Sequence, residues 1–383
     1  MTQALATGAL LSRLGHELVG VVAGRNGVRE LPDYFLRGFP VPVGTLPSPD
    51  FVLRDNRSID PFASAGRALR QFGIYRRSVR ELRARIESSG AEVVFNFFEP
   101  LTGLLQLFGA LPVPVVALAH QFLIQHPERI RIPGRHLEDL GMRLFVSLVG
   151  CRSQRVALSF YPARPVPARR LTVAPPLLRS ALFDCTPTEG SYLLVYLVNH
   201  GYSDQIRAWH AVHPGTRIHC FYDRPGAPLV EEVAPSLFFH QLDGKRFLDL
   251  MAGCGAVAST AGFESVCEAI WLGKPLLLVP VEGHFEQLLN AADALNHGLA
   301  EIDSRFDLSV LASLSPPSAR VVGRFRDWVA GAETILGDLL DSQRAPVTGP
   351  VRSHSGSILP AHRPAMRFSV APPGMRSRDR DRK

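Results

Sequence analysis

Residues 259–291 read STAGFESVCEAIWLGKPLLLVPVEGHFEQLLNA. Just ahead of them Gly255 to Ala258 is a short apolar strand. Gly262 then opens a run with helical spacing of apolar residues through Val266, Ala269, Ile270 and Leu272, which stops at Gly273-Lys274-Pro275. Leu276 to Val279 is a continuous apolar run of the kind a buried parallel strand needs. Strand, turn, helix, turn and strand in this order predict an open α/β sheet.

The turn Ser259-Thr260-Ala261-Gly262 combines two hydroxyls with small residues. Backbone N–H groups and a helix N-terminus can therefore approach an anion such as a diphosphate. Glu268 lies about two turns into the helix, where a carboxylate can accept hydrogen bonds from a ribose diol; taken alone, it reads equally well as ordinary helix packing. After Pro280, the polar residues Glu286, Gln287 and Asn290 fall at the C-terminal edge of the sheet, where ligands of open α/β folds bind.

The ordered set resembles the donor-binding signature of GT-B glycosyltransferases, H-C-G-W-N-S-x-x-E followed by G-x-P, P and D-Q. Thr260, Gly262, Phe263, Glu264, Ser265, Glu268, Gly273, Pro275, Pro280, Glu286 and Gln287 stand at matching positions. The resemblance implies that Thr260 faces the diphosphate, Glu268 the ribose hydroxyls, and Glu286 with Gln287 the donor hexose. Threonine replaces the family's histidine and glutamate its aspartate, which leaves the sugar open. From about Met1 to Leu340 the chain is similar to a bacterial and archaeal branch related to the lipid I N-acetylglucosaminyltransferase, to diacylglycerol glycosyltransferases and to UDP-glycosyltransferases. The expected fold is α/β, with two Rossmann-like doubly wound domains facing across a cleft.

At 383 residues the chain is long enough for two cores, and 46% hydrophobic with 20% charged residues is ordinary globular composition. No apolar run reaches the roughly 18 to 20 residues of a spanning helix. The apolar stretch from Ala4 to Leu11 lacks the basic flank and cleavage site of a signal peptide. The five cysteines form no C-x-x-C pair, so reduced thiols in a cytoplasmic protein, with no zinc site, are expected. The net charge of +7 resides after residue 343, where nine Lys/Arg stand against Asp379 and Asp381. Rich in Pro, Ser and Arg without apolar periodicity, residues 343–383 are expected to form a disordered basic tail, dispensable for the fold.

The preceding chain divides into an acceptor-side domain over 1–175 and a nucleotide-sugar-binding domain over 176–342, with the proline-rich stretch Pro162 to Pro176 as the joint. A helix is expected over Thr2–Leu14, one over Pro61–Ser88 with a basic face, a helix from Asp204 capped by Ser203, and a final helix over Arg320–Leu340 with Trp328 as its anchor. A doubly wound half begins with a strand, yet this chain opens on the helix. In the related family a strand and a G-E-G-R-G-H-like loop precede M-T-Q-A, the residues found here as Met1-Thr2-Gln3-Ala4. The first strand and its loop are therefore expected to be absent, Met1 to be internal to a longer protein, and transfer by this chain to be poor.

The donor set expected from spacing and resemblance is Asn199, Gly201, Ser259, Thr260, Ala261, Gly262, Glu264, Glu268, Glu286, Gln287 and Asn290. His120 and Glu99, each at the end of a strand of the first domain, are the candidate bases for an acceptor hydroxyl. No convincing D-x-D motif appears, so neither a metal nor any other cofactor is expected, and an inverting hexosyl transfer is the expected reaction. The acceptor is undisclosed, a lipid being one candidate. Arg67, Arg70, Arg76, Arg77, Arg80, Arg83 and Arg85 suit peripheral contact with the inner face of a membrane as well as they suit a solvated helix face. Nucleic acid is disfavoured, because no stacking aromatics accompany the arginines. The competing functions are a sugar-nucleotide 2-epimerase of the same fold and a non-catalytic nucleotide-sugar-binding protein.

Overall fold

The computed structural model describes residues 1–25, 31–49, 52–54, 58–197, 200–343 and 367–371. In chain order the strands are β1 (Glu17–Arg25), β2 (Val43–Pro47), a small hairpin of β3 (Val52–Arg54) and β4 (Ser58–Asp60), β5 (Val93–Asn96), β6 (Val115–Ala119), β7 (Gln154–Leu158) and β8 (Leu171–Ala174). They continue with β9 (Tyr192–Tyr196), β10 (Arg217–Phe221), β11 (Val230–Ala234), β12 (Leu237–His240), β13 (Ala256–Ser259), β14 (Leu276–Leu278), β15 (Glu301–Ile302) and β16 (Arg367–Ala371).

Two sheets result. The second has the order β11-β12-β10-β9-β13-β14-β15, parallel throughout except for the antiparallel edge strand β11. The chain winds outward from β9 to β12 on one side, then returns and winds outward from β13 on the other. The direction reverses between β9 and β13, at the topological switch point where doubly wound sheets bind ligands. Buried Leu194, Val257 and Leu278 contribute to the core on one face of this sheet, and Val195, Ala258 and Leu277 to the core on the other. Alternation of this kind is what a sheet covered on both faces requires.

The first sheet has the order β2-β1-β16-β5-β6-β7-β8, parallel throughout. Its central slot, where a doubly wound half carries its first strand, is filled by β16. Arg367–Val370 pairs with Glu17–Val21 on one side, and Phe368–Ala371 pairs with Val93–Asn96 on the other. The chain opens on the helix Thr2–Arg13 with no strand ahead of it, as expected. The slot that this was expected to leave empty is filled nonetheless, and residues 367–371 of the expected disordered tail form a strand. Composition concealed the strand because only five residues of the basic segment supply it and their pairing partners lie hundreds of positions away. The remainder of that segment lies outside the described residues.

Other elements shift in smaller ways. The expected helix over Pro61–Ser88 is two, Pro61–Arg70 and Phe72–Ser89, and the final helix is likewise two, Ala319–Ala330 and Ala332–Gln343, separated at Gly331. The proline-rich joint contains β8, the outer strand of the first sheet. Ser203 does not cap the helix Ser203–Val212; its hydroxyl donates instead to the His200 carbonyl. Trp328 does tie the end of the second half back to the first, its Nε1 donating to the Ser159 carbonyl at 2.9 Å.

Candidate active site

β13 ends at Ser259, and the chain turns sharply before the helix Phe263–Trp271. Ala261 makes the turn in the left-handed region, with φ +49°, a conformation that costs a non-glycine residue of order 1 kcal/mol and is held only where the surroundings enforce it. Asn290 enforces it here, its Nδ2 donating to the Ala261 carbonyl at 3.0 Å. Ser259 and Ser265 hydroxyls lie 3.2 Å apart, and Ser265 donates to the Gly262 carbonyl. Gly262 at the N-cap offers no side chain to the first N–H groups of the helix. Thr260 is fully buried, and its Oγ1 finds no hydrogen-bond partner among the described residues. Open helix amides and an unsatisfied hydroxyl at a switch point are groups that can receive an anion.

Gly201 lies in the 3-10 turn His200–Tyr202 beyond β9, on the other side of the switch point; Asn199 lies outside the described residues. Glu264 is in the first turn of the helix Phe263–Trp271. Glu268, almost fully buried, holds a two-pronged ion pair with Arg179, Nε to Oε1 at 2.6 Å and Nη2 to Oε2 at 2.8 Å. Arg179 was not legible as a site residue, because it stands 89 positions earlier. Gln287 uses its Oε1 to accept from the Val281 N–H at 2.9 Å, closing the loop after Pro280. Glu286 faces the first half and accepts from Gln121 Nε2 at 2.7 Å.

A cavity of about 40 Å³ separates the halves here, room for a few waters. Leu123, Ile124, Ile130 and Met142 form its apolar wall, while Glu286, Asn290 and Asp293 face it from the second half. His120 also lines it. The His120 ring stacks on Phe263, with centroids 4.0 Å apart, and its Nδ1 donates to the Leu158 carbonyl at 2.7 Å. Burial pushes its pKa down to about 4, against hydrogen bonds to Leu158 and Asn290 that pull it up. The ring is therefore neutral at pH 7, with Nε2 free of the proton. Beside it Tyr161 donates to Asp293 Oδ1 at 3.0 Å and stacks on His297.

Glu99 does not line the cavity. It caps the helix Pro100–Phe108, accepting from the Leu101 N–H at 3.2 Å and from the Ser48 hydroxyl. Its other oxygen lies against Gly24, where an added Cβ would come within 2.1 Å.

Burial raises the Glu99 carboxyl to about 7, opposed by Ser48 and Leu101, and raises Asp293 to about 6, opposed by Tyr161. Both folded values exceed the unfolded ones near 4, so their stabilisation is complete in acid and lost as pH rises through 6 to 7. His120 and His240, both pushed down to about 4 by burial, act oppositely and weaken the fold as pH falls below about 6.5. The melting temperature should accordingly peak near pH 6 to 7 (about), and Glu99→Gln should flatten the alkaline limb. A melting temperature that climbs steadily to pH 9 (roughly) would contradict this assignment.

A family model described as glycosyl transferase family 1 matches residues 10–314. The chain belongs to that family. Among curated proteins no sequence matches this glycosyltransferase. Its fold is that of LpCGTa, solved in complex with UDP, at TM-score 0.58 and 18% identity over 89% of this chain and 95% of that one. Phytolacca americana UGT2, complexed with UDP-2fluoro-glucose and pterostilbene, gives 0.57 and 12% over 89% and 96%. The calicheamicin glycosyltransferase CalG4 gives 0.55 and 16% over 91% and 95%. The two sheets facing across a cleft are the GT-B fold. No helix among the described residues of this glycosyltransferase is long and apolar enough to cross a membrane.

Proposed function

We propose that this glycosyltransferase moves a hexose from a UDP-sugar to the hydroxyl of an apolar acceptor, with inversion and without a metal. The observation that carries the reading is the switch point between β9 and β13, where the turn 259–262 presents an unpartnered Thr260 hydroxyl and the uncapped amides of the helix Phe263–Trp271. These groups suit a diphosphate, and the helix dipole offsets the charge that grows on it as it departs. That contribution takes the place of a metal. Ser259, Ala261, Gly262 and Gly201 belong to the same phosphate end, Glu264 and Glu268 to the ribose, and Glu286, Gln287 and Asn290 to the hexose. UDP is a ligand of solved structures that share this fold.

His120 is the proposed base, because it lines the cavity with a fixed tautomer whereas Glu99 is enclosed as a helix cap. The apolar wall on the first half fits an acceptor with an apolar body, a lipid included. Such an acceptor sits well with a cytoplasmic enzyme at the inner membrane face. Arg76, Arg77 and Arg80 are exposed there for anionic headgroups, while Arg83 and Arg85 are engaged with the Gly109 carbonyl and Glu81.

Glu268→Ala tests the donor site. Removing a carboxylate that accepts from ribose hydroxyls should weaken UDP binding by about 1.5–3 kcal/mol, roughly tenfold or more. Calorimetry that finds wild-type affinity in the variant removes the ribose assignment.

A further inference from the structure

Glu268 has a partner that its own motif does not contain. Arg179, in the segment leading from β8 to β9, lays Nε and Nη2 along the two carboxylate oxygens, and its Nη1 is anchored on the Gly244 carbonyl at 3.1 Å. The side chain of Glu268 is 4% exposed and that of Arg179 27%, so the pair is largely withdrawn from water. An ionised carboxylate has about four lone-pair sites, and a side-on guanidinium takes one on each oxygen. One site on each oxygen remains, the number a ribose 2′,3′-diol requires.

We propose that Arg179 is a positioning residue of the donor site, keeping Glu268 ionised and fixing its carboxylate plane so that both remaining lone pairs meet the ribose hydroxyls. The inference rests on the UDP-sugar reading above. Burial pushes the Glu268 carboxyl towards its neutral form, Glu264 one turn earlier pushes the same way, and only the Arg179 guanidinium opposes them. Of the other groups that interact electrostatically with the pair, Glu264, Tyr34, Cys185 and Cys267 carry no positive charge. A protonated carboxyl would present a donor where the ribose needs an acceptor. Preference for ribose over 2′-deoxyribose should therefore depend on pH, through Arg179.

The test is calorimetry of UDP and 2′-deoxy-UDP between about pH 5 and 8, on the full chain and on Arg179→Met, Arg179→Lys and Glu268→Gln. The wild type should prefer UDP by about tenfold at neutral pH. In Arg179→Met this preference should collapse on acidification, with a midpoint at least about one pH unit above that of the wild type. Arg179→Lys should lie between the two, and Glu268→Gln should show little preference at any pH. A wild-type pH profile in Arg179→Met overturns the inference. If that variant does not fold, an unchanged preference in Arg179→Lys, which keeps charge but loses the two-pronged grip, overturns it instead. Equal affinity of the wild type for both nucleotides rejects the ribose role while leaving the donor site standing, and absence of UDP binding rejects both.

Discussion

Deleting residues 344–383 should unfold the first half of the molecule and leave the second folded. The segment removed includes β16, which pairs on both flanks in the middle of a parallel sheet. If half of the backbone groups of a five-residue strand are paired, at roughly 0.5–1.5 kcal/mol net per bond, the loss is about 3–8 kcal/mol. Unsatisfied groups left on buried neighbours such as Val21 and Val94 add to it. Whole domains are stable by only about 5–15 kcal/mol. Val370→Pro should produce a milder form of the same defect, because proline cannot donate within a central ladder. Hydrogen exchange should show protection lost at Val21–Ala23 and Val93–Asn96 and retained at Leu193–Val195 and Val257–Ser259. Full protection of the first sheet in the deletion would mean that β16 contributes nothing to it.

Replacing His120 by Asn should lower the rate of transfer by about 10²–10⁴ while leaving UDP affinity nearly unchanged. The Leu158 carbonyl holds the proton on Nδ1, so Nε2 is the nitrogen without one, and its contact with Asn290 must give way before it takes a proton from an acceptor hydroxyl. In the empty cleft its basicity is low, with a pKa of about 4. A bound diphosphate brings negative charge close by and raises it towards neutrality, which matches the base to the step it must perform. Single-turnover rates on donor-saturated protein separate this chemistry from binding. A fall of less than about fivefold would exclude His120 as the base.

The second half was largely legible because its signals are local. The sequence strand–turn–helix around 256–271 follows from apolar spacing and glycine turns within a few residues of each other. The same spacing marks Thr260 and Glu268 as candidate site residues. What was not legible is long-range. Arg179 reaches Glu268 from the far side of the interdomain segment, and nothing near Arg179 in sequence suggests an acidic partner. Glu99 followed a strand, as a base would, but no local pattern revealed that Ser48 and Leu101 would enclose it as a cap. The central strand was hidden for the same reason, in a segment whose average composition is that of a solvated chain.

The placement of β16 also fixes an order of events in time. Phe368 pairs with Leu18 and Val93, partners that emerge from the ribosome long before it does. The second sheet, spanning Tyr192–Ile302, is complete in the nascent chain while the first still has an open groove between β1 and β5. Contacts of such sequence separation form slowly, and unpaired strand edges invite association with other chains until they close. Until residue 371 has left the ribosome the first sheet cannot close around its centre. During that interval a chaperone or a free strand meets a half-built sheet.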